Sequence, residues 1–123
     1  MTNWRAVVIG FLLAVVIGLV GIALPGLGQL TAGLVGGFVA GFLAGGGLLS
    51  GFWHGLLAGA LGGIVGGLLI AIVVGVAGIA LGPVGALLSG LAGVGIFGLA
   101  VLIAFVMALE SAIAGAIGGL LNP

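Results

Sequence analysis

Between Arg5 and Asn122 the chain is a nearly unbroken run of apolar residues and glycine. Polar side chains interrupt it only at Gln29, Thr31, Ser50, His54, Ser89, Glu110 and Ser111. About 20 consecutive apolar residues suffice to cross a bilayer as a helix, so the breaks in this run divide the chain into spans. Pro25-Gly26-Leu27-Gly28 is the first break, because proline lacks its N–H and glycine adopts turn geometry. It predicts spans over 4–24 and 29–45. Gly45-Gly46-Gly47 closes the second, with Ser50 as cap for a third over 51–80. That third span measures about 45 Å against a hydrocarbon core of about 30 Å, so it must tilt, bend or project. Gly82-Pro83 is the next break. Glycines at 90, 93, 95 and 98 loosen the segment after this break, which predicts a short or re-entrant helix over 84–92 and a fourth span over 94–120. A fifth crossing is the alternative. The expected fold is an all-α membrane protein of about four transmembrane helices, forming one domain over 1–123.

A repeat at an offset of 57 residues underlies this pattern. Gly21-Ile22-Ala23-Leu24 recurs as Gly78-Ile79-Ala80-Leu81. Gly28, Gly33, Gly36 and Gly41 recur as Gly85, Gly90, Gly93 and Gly98. The repeat pairs the first predicted hairpin with a second one and implies parallel pseudo-symmetry.

The chain's 30 glycines are arranged in rows. Gly33, Gly37, Gly41 and Gly45 are four apart on the second span, with Ala32, Gly36, Ala40 and Ala44 beside them. The third span carries Gly51, Gly55, Gly59, Gly63 and Gly67, and the fourth Ala100, Ala104, Ala108, Ala112 and Ala116. Residues four apart share a helix face. Lipid tails provide no hydrophobic force between helices, so close backbone contact must hold them together, and small residues permit it. These rows are candidate glycine-zipper surfaces, within the chain and between copies of it.

Composition sharpens the membrane reading. Hydrophobic residues make up 64% of the chain, and only Arg5 and Glu110 are charged. Two charges cannot wet the surface of a soluble domain, which is ordinarily about a quarter charged. Mean hydropathy is +1.74. With zero net charge and no basic patch, nucleic-acid binding is not expected. There is no cysteine, so no disulfide or thiolate chemistry arises. Arg5 before an apolar run shares two parts of a signal peptide. The run is long for one and lacks a small-x-small site, so it reads as a first span. The positive-inside rule then places the N-terminus in the cytoplasm.

Few side chains could carry chemistry. Glu110 lies deep in the fourth span, where a carboxylate costs several kcal/mol unless paired, protonated or wetted. It is a candidate ion or proton site, or else a residue that fixes helix register, with Arg5, His54 or Ser111 as partner. Trp4, Arg5, Trp53 and His54 are candidate interface anchors, since tryptophan favours the headgroup region and arginine snorkels to it. One histidine and one acid make neither a metal site nor a nucleophile–base–acid set, so no metal, cofactor or enzymatic activity is implied. The glycine runs lack the GK[ST] ending of a phosphate loop.

The segments Thr2-Asn3-Trp4-Arg5-Ala6-Val7-Val8-Ile9-Gly10-Phe11, Gly36-Gly37-Phe38-Val39-Ala40-Gly41 and Gly51-Phe52-Trp53-His54-Gly55-Leu56-Leu57-Ala58-Gly59 resemble a family of small glycine-rich membrane proteins from halophilic archaea. The resemblance covers most of the chain. It implies a plasma-membrane location and supplies no activity, because that family's function is unknown. Glu110 also gives a partial similarity to rotor-ring proteolipids of rotary ATPases, which carry one membrane-embedded acid. The polar loop of those proteins is missing here. The expected function is a non-enzymatic membrane protein that contacts lipids and self-associates in a structural or assembly role. The alternative is a small oligomeric ion or proton channel with Glu110 in its path.

Overall fold

The computed structural model describes residues 1–123. Four helices follow one another: α1 (Trp4–Val20), α2 (Leu27–Ala44), α3 (Gly47–Ala80) and α4 (Pro83–Leu121). A 3₁₀ turn, Gly21–Ala23, extends α1. There are no strands, as expected for a chain that must satisfy its backbone within lipid. All four helices are long and apolar enough to cross a membrane.

The turns form where glycine supplies left-handed backbone. Gly45, Gly46 and Gly47 have φ of +64°, +80° and +83° in succession, a path closed to side chains with a Cβ. Helix α3 therefore starts at Gly47, four residues before the expected 51. Ser50 does not cap it; it lies inside the first turn, and the cap position is Gly46. Pro83 opens α4 at its first turn, where its missing N–H is harmless.

The expected break near 89–98 is absent. Helix α4 runs 39 residues without interruption, through the segment read as a short helix over 84–92 and a span from 94. Glycine weakens helices in water partly by exposing backbone to solvent. Hydrocarbon offers the backbone no alternative partner, so the helix persists.

The two hairpins have unequal lengths. Helices α1 and α2 have 17 and 18 residues, α3 and α4 have 34 and 39. At 1.5 Å per residue, α3 outreaches α2 by about 24 Å. The short hairpin packs beside the inner part of the long one. Beyond Gly67 on α3 and before Ala100 on α4 lies an outer segment built from these two helices alone.

Helix α2 is the central element. Its Gly36 lies against Gly10 and Ala14 of α1, while Gly37 and Gly41 lie against Ser111 and Gly115 of α4. Helices α3 and α4 meet through Gly51, Gly55, Gly59 and Gly63, opposite Gly115, Ser111, Ala108 and Ala104. A Cβ added at Gly41 or Gly51 would overlap the Gly115 carbonyl oxygen. Gly45 belongs to none of these contacts: it is the C-cap of α2, beside Asn122. Both hairpins close through repeat-related glycines, Gly21 on Gly28 and Gly78 on Gly85.

Candidate functional site

Polar groups gather at two levels. The first is the end of the bundle where the N-terminus, the α2–α3 turn and the C-terminus meet. His54 is 4% exposed. Its Nδ1–H donates to the Ser50 carbonyl oxygen at 2.7 Å, which leaves Nε2 to accept the Asn3 backbone N–H at 2.8 Å. Asn3 in turn caps α1, its Oδ1 accepting from the Ala6 N–H at 3.3 Å. The Asn122 amide donates to the Phe42 carbonyl oxygen at 2.8 Å, satisfying one of the orphan carbonyls at the end of α2. Trp4 and Trp53 are 60% and 49% exposed around this cluster, and Trp53 Nε1–H donates to Thr2 Oγ1 at 3.3 Å. Arg5 is exposed nearby. His54 is thus a buried tie between the N-terminus and α3.

The second level is Glu110. It lies 11 residues from the end of α4, about 16 Å along the helix from the polar end. None of the expected partners reaches it. Arg5 and His54 stay at the polar end, about 16 Å away along the helices. Ser111 turns the other way, its Oγ–H donating to the Gly55 carbonyl oxygen at 2.8 Å. Glu110 Oε1 is buried with no hydrogen-bond partner. What it meets on α2 is Gly33, where a Cβ would lie 3.6 Å away.

Beside Glu110, a cleft of about 370 Å³ opens between α2 and α4 toward the lipid. Leu30, Leu102, Val106 and Met107 make its walls, and Gln29 and Glu110 are its polar members. The sequence pattern puts Gln29 merely at a span end. The structure places it inside the first turn of α2, one turn from Gly33, at the rim of the cleft with its Oε1 3.8 Å from the Cβ position of Gly18 on α1. That four-residue spacing is the signal the sequence offers for it. The Gln29 side chain has no hydrogen-bond partner within the chain, whereas Thr31 Oγ1–H is committed to the Leu27 carbonyl oxygen at 2.7 Å.

The sequence profile described as a family of unknown function, DUF5518, matches residues 4–121. The chain belongs to the DUF5518 family. No curated protein and no solved structure shows significant similarity to it. Membership of DUF5518, together with four membrane-length apolar helices, makes this an integral, multi-pass membrane protein of a family without an assigned activity.

Proposed function

We propose that this DUF5518 protein is a non-enzymatic structural or assembly component of the plasma membrane, which self-associates through glycine-bearing helix faces. The observation that carries this reading is the state of the outer glycines. Apart from the adjacent residues and the local helix backbone, no atom lies within 4 Å of the Cβ position at Gly75, Gly90, Gly93, Gly95 or Gly98. Each helical glycine costs about 1 kcal/mol relative to alanine in water. At the glycines packed between α2, α3 and α4 close backbone contact offsets that cost; at these five nothing within the chain does. A surface of small residues facing lipid suits a further helix. The resemblance to haloarchaeal proteins supports the plasma membrane, and Arg5 supports a cytoplasmic N-terminus.

The conducting alternative draws on the unpaired Glu110 Oε1. Against it, the cleft walls are apolar and open sideways out of the bundle. Two measurements on purified protein decide between them. Cross-linking in liposomes is expected to yield discrete oligomers, and proton and monovalent-cation flux is expected to stay at the level of empty liposomes. Wild-type flux that Glu110→Gln abolishes would replace the structural reading with a pathway through this residue.

A further inference from the structure

The Glu110 carboxyl and the Gln29 carboxamide line one cleft without bonding each other, and no other side chain of the protein bonds either of them. Ser111, Thr31 and Ser89 are bonded to carbonyl oxygens of Gly55, Leu27 and Ala86. Lipid tails have no donors or acceptors, and an unsatisfied polar group in hydrocarbon costs several kcal/mol. Polar atoms brought to the cleft from outside the chain would satisfy both groups.

A second copy would supply them. If two protomers pack about an axis along the membrane normal, each residue keeps its depth, and Gln29 of one lies about one turn, ~6 Å, from the level of Glu110 of the other, within reach of two long side chains. A carboxyl oxygen accepts from a carboxamide N–H whether or not the acid carries a proton. The pair is also self-complementary under a two-fold axis: Glu110 of one protomer meets Gln29 of the other, and the reverse contact forms with it. The cleft is continuous with the outer glycine surface. Gly98, Leu102, Val106 and Glu110 are four apart along α4, one ridge leading from the open outer glycines into the cleft. Leu102 and Val106 are both well exposed along it.

We infer that the α2–α4 cleft is the docking face for a second copy of this chain, with Glu110 and Gln29 hydrogen-bonded across the two-fold axis. The inference rests on the proposed self-association and assigns it a place.

The chain has no cysteine, so a single introduced thiol reports on one site. In liposomes, Val106→Cys at the cleft is expected to form disulfide-linked dimers on mild oxidation, and Val73→Cys on the outer part of α3 is not. By energy transfer between labelled protomers, Glu110→Ala and Gln29→Ala should each weaken the dimer by roughly tenfold, in keeping with hydrogen bonds between membrane helices. The exchanged double variant, Glu110→Gln with Gln29→Glu, should restore the wild-type dissociation constant to within about threefold, because the pair has only changed sides. An oligomer that cross-links at Val73→Cys but not at Val106→Cys, or that is indifferent to both alanine variants, would overturn this assignment and leave self-association standing. A wild-type protein that stays monomeric in liposomes would overturn both.

Discussion

Three pairs of repeat-related glycines have opposite surroundings. Gly33 lies against the Glu110 carboxyl, whereas its mate Gly90 has open space around it. Gly36 lies against Gly10 and Ala14; at Gly93 the Cβ position faces open space. Gly41 sits on the Gly115 backbone, and Gly98 faces outward. The local sequences are alike, and both hairpins close through the same glycine pair. What differs is the neighbour. The inner part of the long hairpin lies beside α1 and α2, while the outer segment extends about 24 Å past them with only its own two helices. A glycine row thus marks a face able to accept a backbone, and tertiary structure decides whether one is there.

The comparison breaks most sharply at Gly41 and Gly98. Gly41→Leu would drive a side chain into Gly115, and is expected to abolish the folded state, read as loss of the cooperative thermal transition in detergent. Even Gly41→Ala should cost about 1–3 kcal/mol by overpacking. Gly98→Ala should leave that transition unchanged or raise it by up to about 1 kcal/mol, because helix propensity improves and nothing is displaced. Equal destabilisation at both positions would erase the distinction between inner and outer glycines.

The Ser111 hydroxyl offers a smaller test within the inner part. Its bond to the Gly55 carbonyl oxygen joins α4 to α3 where both backbones are close. Ser111→Ala should lower stability by about 0.6–1.5 kcal/mol in an unfolding titration. Ser89→Ala, which removes a bond within α4 of the outer segment, should lie below half that value. The smallest effect concerns the polar end. Asn122→Ala removes one cap from the end of α2, and faster amide exchange confined to the α2–α3 turn and the C-terminus is expected, with a global change under about 0.5 kcal/mol.

Helix class and the hairpin turns were legible in the chain because their causes are local. A long apolar run must be helical in lipid, and Pro25-Gly26, Gly45-Gly46-Gly47 and Gly82-Pro83 can only be turns of the kind observed. The expected break at 89–98 failed for a related reason: glycine's helix-weakening character belongs to water, and this helix has no solvent for its backbone to turn to. Glu110 was legible as an anomaly, since a single acid in hydrocarbon needs an explanation wherever it sits. Its surroundings were not. Arg5 and His54 were natural partners by charge, yet their places follow from how far apart the helices set them, and that distance is not written in residue types.

By itself, then, the sequence determined that this protein lives in a membrane, is helical, and carries faces small enough for backbones to touch. Local physics suffices for each of these, because solvent preference, hydrogen-bond closure and the lack of a Cβ act residue by residue. Only the tertiary structure decided which glycines are covered, that His54 ties the N-terminus to α3, and that Glu110 shares a cleft with Gln29 rather than pairing with a base. Those outcomes depend on the relative height and rotation of whole helices, which are fixed by many weak contacts acting together.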